Sequence, residues 1–301
     1  TIGQFYGVNG KNLRRQYRDY LSDFKNWEQN KHAKQWLVFP ENIGPYLSID
    51  ETALSKGELY TIITNKQAKG KKGSIVAIFS GTRAEPIVEQ LLKISSKERD
   101  KVKEITLDMA NSMKTIAKKC FPKAIQVTDR SHLQKLALEA LQDIRVKHRW
   151  DAIDLENERI KKARLENKTF TPKEFGNGDT RKQLLARSRY LLYKAPSNWT
   201  ENQRIRSKRL FDQYPDIKTA FDLAQGLRNI FNTASTIRVA CTKLAHWYKD
   251  VENTGFRAFN TIANTIAISY RCILNYFINR STNAAAESFN AKIKAFRAQF
   301  R

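Results

Sequence analysis

The chain has 301 residues, 41% of them hydrophobic, and sets 54 Lys and Arg against 30 Asp and Glu for a formal net charge of +24. That is enough apolar material for at least one full core. The unbalanced charge is costly on a compact protein unless a polyanion meets it, and nucleic acid is the expected polyanion because each neutralised phosphate releases counterions. No run reaches the roughly eighteen apolar residues of a membrane span, and no export signal opens the chain. Cys120, Cys241 and Cys272 are widely spaced and lack zinc-ligand spacing, as expected of reduced thiols in a cytoplasmic protein. An opening Thr1 and a closing Phe300-Arg301 in helical pattern read as a piece of a longer protein.

In chain order, residues 1–44 read as a basic helical segment. A turn at Phe5–Gly10 precedes a helix from Lys11 with its arginines on one face, which suits either the end of a helix-turn-helix or a connector. Strand patterns follow at Tyr46–Glu51, Glu58–Thr64 and Gly73–Phe79, rich in β-branched residues, with the basic hairpin loop Lys66–Gly73 between the last two. Ile87, Val88, Leu91 and Leu92 then make a helical stripe. A fourth strand is expected over Val102–Leu107, a helix over 110–120 and a fifth strand over Ala124–Thr128. The order β-β-β-α-β-α-β predicts an α/β fold of RNase H-like type, a mixed five-stranded sheet with flanking helices.

After Asp129 the pattern is helical to the end, with breaks near Thr169–Gly178, Ala195–Asn198 and Tyr214–Pro215. Residues 130–210 carry 20 basic and 10 acidic side chains, so this stretch holds much of the charge. The pattern thus divides the chain into 45–132, which holds the strands, 133–280, which is all helical, and 281–301, a last helix.

Three acids stand at element ends. Asp50 and Asp108 follow strand patterns, and Glu287 lies one turn into a helix whose capping candidates are Ser281, Thr282 and Asn283. In this fold the strands bearing Asp50 and Asp108 are neighbours. Three oxygen-bearing carboxylates suit Mg²⁺, with Mn²⁺ as a substitute, and two such ions serve phosphoryl transfer. An Asp after a strand also caps helices or opens turns, and Asp108 has that reading too. Asp129 and His132, three apart on a helical first turn, share a face and either bond to each other or steady neighbouring helices.

Taken together, Ile49-Asp50-Glu51, Ser80–Arg83, Leu107-Asp108-Met109, Phe121–Ala124, Thr128–His132 and Asn283–Lys294 resemble the DDE-type transposases of bacterial insertion sequences, in particular the ISL-three group, over roughly residues 45–301. The resemblance implies that Asp50, Asp108 and Glu287 form the DDE triad and bind the metal. It also implies that Asp129 and His132 match an Asp/Cys-x-x-His signature that precedes a helical insertion. The implied activity is DNA cleavage at element ends and 3′-hydroxyl strand transfer into target DNA. The partners would be double-stranded DNA, both terminal inverted repeats and target, and a second copy in a homodimer or larger assembly. A non-catalytic DNA-binding descendant and a nuclease on the same fold are the alternatives. Lys292, Lys294, Arg297, Arg204, Arg206, Lys208 and Arg209, and Lys66, Lys69, Lys71 and Lys72 of the hairpin loop, are the candidate DNA-backbone contacts; a solvated charge is the competing reading for each. Trp150, Trp199 and Trp247 either stack on bases or fill the helical core.

Overall fold

The β-branched runs pair as their alternation requires. The computed structural model describes residues 2–53 and 57–298, so the closing Phe300 and Arg301 lie outside the described residues. Six strands, Trp36–Val38 (β1), Tyr46–Ala53 (β2), Leu59–Asn65 (β3), Ile75–Ser80 (β4), Glu104–Leu107 (β5) and Ile125–Thr128 (β6), form one sheet in the order β1-β4-β3-β2-β5-β6. β1 to β4, β4 to β3 and β3 to β2 are antiparallel, and β2 to β5 is parallel. The register sets Asp50 opposite Ile62 on one side and Ser48 opposite Thr106 on the other.

The expected five strands are therefore six. β1 lies in the stretch expected to be helical, and its three residues are too few to show a period of two. Before it come only short pieces: Ile2–Phe5 (α1), Gly10–Gln16 (α2, capped by Asn9) and single turns of π and 3₁₀ helix. β1 is an edge, and an edge exposes unpaired backbone groups. Here the Gln29 side chain supplies the missing partner, donating to the Val38 carbonyl at 2.9 Å and accepting from the Val38 amide at 2.8 Å.

Alternation along β2 sorts its side chains. Leu47 and Ile49 enter a core with Ile63, Phe79, Ile105 and Leu107, against Ile87, Val88 and Leu91 of helix Ala84–Leu91 (α3). The short helix Ser96–Arg99 (α4) leads to β5, and Met113, Ile116, Ala117 and Cys120 of helix Asn111–Cys120 (α5) close this core. Burial pushes the Cys120 thiol up to about 11, so it stays a neutral thiol. Each fully buried Ile or Leu stabilises the fold by about 1.5–3 kcal/mol. Ser48 and Asp50 point to the opposite face of the sheet, where helix Ala284–Ala298 (α15) packs on β2.

The chain divides into two compact units, Thr1–Gln126 with Asn283–Arg301, and Val127–Thr282. The second is helical. Its spine is Arg130–Leu165 (α6), 36 residues long and capped by Asp129. There follow Arg181–Arg187 (α7), Arg189–Tyr193 (α8), Glu201–Gln213 (α9), Pro215–Thr233 (α10), Ile237–Thr254 (α11), Arg257–Ile268 (α12), Tyr270–Leu274 (α13) and Tyr276–Asn279 (α14). Thr180–Gln183 and Thr200–Gln203 are capping boxes that start α7 and α9, and Pro215 begins α10 at a position where its missing N–H costs nothing. α10 lies along α6, burying Ile217, Phe221, Ala224, Leu227 and Phe231. Trp247 is buried and donates Nε1 to the Leu223 carbonyl, and Trp199 donates to Leu191 and stacks on Phe221, so both are core residues; Trp150 is exposed. Among the described residues no helix is long and apolar enough to cross a membrane.

Candidate active site

The unit built on the sheet holds all three acids, Asp108 and Glu287 at element ends and Asp50, expected to follow a strand, within one, because the ladder to β3 runs on to Ala53. Asp50 sits mid-strand on β2, and Asn290 of α15 donates Nδ2 to its Oδ2 at 2.5 Å. Two residues earlier on the same face, Ser48 donates Oγ to Asn283 Oδ1, also at 2.5 Å and fully buried. Positions 283, 287 and 290 recur at helical spacing, so the two side chains that pin α15 to β2 bracket Glu287 on one face. Glu287 is exposed in the first turn of α15, where negative charge suits the helix dipole, and its backbone amide donates to the Asn283 carbonyl at 2.9 Å.

Asp108 follows β5 directly. Its Oδ1 accepts the Ala110 amide at 2.7 Å, the turn that opens α5. Its turn-opening role is thus real, and it occupies one carboxylate oxygen. Glu51 is a fourth acid here, absent from the sequence-derived set of site residues. Burial raises its pKa first, then the negative charges of Asp108 and Asp50, against a hydrogen bond with Ser112 at the start of α5. The signal was present in the strand alternation, which turns Glu51 to the α5 side while Asp50 faces α15. Among the described residues no three His, Cys, Asp or Glu side chains stand close enough as placed to hold a metal ion. The donors are nevertheless all carboxylate oxygens, the hard ligands Mg²⁺ takes. The repulsion that Asp50 and Asp108 exert on Glu51 is what a cation would relieve.

The basic residues separate into two groups. Lys66 is engaged inside the protein. Its Nζ lies 3.2 Å from the buried Glu104 carboxylate and 2.6 Å from Thr106 Oγ1, a pairing that follows from the side-by-side placement of β2 and β5. Lys69 adopts a left-handed conformation, φ 49°, in the turn. Lys71 and Lys72 line a cavity of about 200 Å³ with Ser74 and Phe289, and Lys292 reaches from α15 to within 3.5 Å of the point where a Gly70 side chain would start. The hairpin loop and α15 thus bring three lysines to one place. Lys294 is exposed, and the side chain of Arg297 lies outside the described residues.

In the helical unit, Arg206 is also committed internally. With Arg187 it clasps the fully buried Asp179 at 2.8 and 2.5 Å. Arg204 and Lys208 are exposed, and Arg209 leans toward Gly176. Asp129 is buried and caps α6, accepting the amide and the hydroxyl of Ser131 at 3.2 and 2.8 Å; His132 is half-buried in the next positions of that turn.

A mixed sheet bearing carboxylates and a long helical unit, in a strongly basic chain, are compatible with the fold of a transposase. Residues 47–301 match the family described as Transposase, the DDE type of the ISL3 group. The chain belongs to that family, whose substrate is DNA and whose members generally use divalent metals. No curated protein matches it.

Proposed function

We propose that this transposase cuts DNA at the ends of an insertion sequence and joins the freed 3′-hydroxyl to target DNA, with Asp50, Asp108 and Glu287 as its DDE triad. The observation that carries this reading is the pinning of α15 to β2, which turns Glu287 to the side of Asp50 across a large sequence separation. The sheet, in this reading, is the RNase H-like core and takes its edge strand β1 from the segment 1–44, residues 133–280 are its insertion, and the short helical pieces before β1 are a remnant of a DNA-binding module. The enzyme acts in the cytoplasm on nucleoid DNA, as a homodimer or larger assembly, because two element ends must be held together.

Asp50, Asp108 and Glu287 would hold Mg²⁺, which when bound lowers the pKa of a water and offsets charge on the phosphodiester. The chain's own residues do the positioning. Asn290 fixes one oxygen of Asp50, and the Ala110 amide fixes one of Asp108, so both carboxylates are oriented before any ion arrives. Lys71, Lys72 and Lys292 hold the backbone. In the first reaction a water oxygen bonds to phosphorus and the 3′ oxygen leaves as a hydroxyl; in the second that hydroxyl attacks a target phosphodiester and displaces a target 3′ oxygen.

Incubation with inverted-repeat DNA and Mg²⁺ tests this. Joined products are expected. Cleavage without joining would leave a nuclease, and binding without either a non-catalytic DNA-binding protein. Asp108→Asn should abolish both reactions while sparing DNA binding, and activity retained in that variant would overturn the triad.

A further inference from the structure

The helical unit contains a cationic cavity that none of the residues above explains. It measures about 300 Å³ and is lined by Arg130, Ser131 and Gln134 from the start of α6 and by Arg228, Phe231 and Asn232 from α10. Arg130 donates Nη1 to Asn232 Oδ1 at 2.7 Å and lies over the Tyr276 ring, 5.6 Å from its centroid. Arg228 donates to Gln225 Oε1 and to the Tyr193 carbonyl, each at 3.0 Å. All these partners are neutral. Among the described residues no carboxylate pairs with either guanidinium.

Arg228 is half-buried, and desolvation alone lowers its pKa, with no acid to oppose it. A cation withdrawn from water without a counter-charge is costly. Asp179 supplies such a counter-charge to Arg187 and Arg206, whereas Arg145, which lines neither cavity, is buried against the neutral Gln142 side chain and the Leu185 carbonyl. What sets Arg130 and Arg228 apart is that they share an open cavity. A guanidinium carries five N–H donors, and the bonds described occupy one on Arg130 and two on Arg228. The remaining donors form planar forks, the geometry that matches the oxygens of a phosphate.

We propose that the Arg130–Arg228 cavity is a phosphate-binding site that takes a backbone phosphate of a DNA strand. This rests on the reading of the chain as a DNA-processing enzyme and adds a contact on the helical unit independent of the carboxylates. Both guanidiniums donate to the non-bridging oxygens of one phosphate, so the contact is insensitive to base sequence and sensitive to salt.

The test is the affinity of the full chain for a mixed-sequence DNA duplex across a series of salt concentrations, for the wild type, Arg130→Gln, Arg228→Met and Arg228→Lys. Arg130→Gln and Arg228→Met should each weaken binding several-fold and reduce the slope of log K against log[salt] by about one. Arg228→Lys keeps the charge and should keep the slope while losing affinity. Should Arg228→Met fail to fold, Arg130→Gln and Arg228→Lys decide. Unchanged affinity and slope in folded Arg130→Gln would overturn the site, as would inorganic phosphate raising the melting temperature of the wild type while all variants bind DNA equally, which marks a free-anion site. Wild type that binds no DNA would instead overturn the reading on which the site rests.

Discussion

Asn290 donates Nδ2 to Oδ2 of Asp50 across 2.5 Å, joining residues 240 positions apart. The bond is nearly buried and its acceptor is a carboxylate, so its loss should cost about 1.5–3 kcal/mol. Asn290→Leu should lower the melting temperature and speed amide exchange along α15, because one of the two side-chain bonds described between this helix and β2 is lost. Unchanged exchange in α15 would show that the bond does not hold the helix.

Lys66→Met should damage stability rather than DNA binding. It removes the cation beside Glu104, which is 2% exposed. Breaking a buried pair on one side costs about 3–5 kcal/mol. Adding Glu104→Leu should recover much of that loss, as denaturant titration of the single and double variants would reveal. A stable Lys66→Met with weakened DNA binding would return Lys66 to the DNA contacts.

The opposite is expected of Lys72 and Lys292. Both stand near the hairpin loop and neither has an ion-pair partner among the described residues. Replacing either by Ala should leave stability within about 0.5 kcal/mol. Each change should reduce the salt dependence of DNA binding by about one phosphate contact. Anisotropy titrations at several salt concentrations measure this, and a slope equal to wild type would exclude the contact.

Asp179 predicts an acid-sensitive helical unit. Burial pushes its carboxyl up, but the bonds and charges of Arg206 and Arg187 outweigh burial and hold it below the usual carboxylate range. A carboxylate depressed in the folded state contributes stability that is present above its unfolded pKa, about 3.9, and is lost as pH falls through the folded value. Unfolding followed from pH 7 downward should therefore show wild type losing an advantage over Asp179→Asn in the acid range. A difference between the two that does not change with pH would contradict the linkage.

How much of this was legible beforehand differs by element. The meander and the β5-α5-β6 crossover followed from β-branched runs and helical stripes long enough to show their periods, and the breaks in the helical unit fell at Pro215 and at the loop holding Gly176 and Gly178. β1 was not legible, because three residues show no period and its partner Gln29 is a side chain acting as a strand. Lys66 and Arg206 looked like neighbouring basic residues because a lysine or arginine reads the same in sequence whether its carboxylate is absent or buried on a distant element. Glu51 was in view beside Asp50, but its proximity to Asp108 depends on the start of α5. Asn283 and Asn290 were visible only as part of a helical stretch, since a side-chain bond to a strand more than two hundred residues away leaves no local trace.

The Gln29 amide at Val38 bears on assembly. Chains gathered on one DNA molecule are held at high local concentration, where an open strand edge is the readiest surface for adhesion between copies. The backbone pair at Val38 is already taken by a residue nine positions earlier in the same chain. In the proposed assembly, subunits at the two ends of an element would meet with that point of the sheet closed, and their association would be left to surfaces where partner and geometry can be selected.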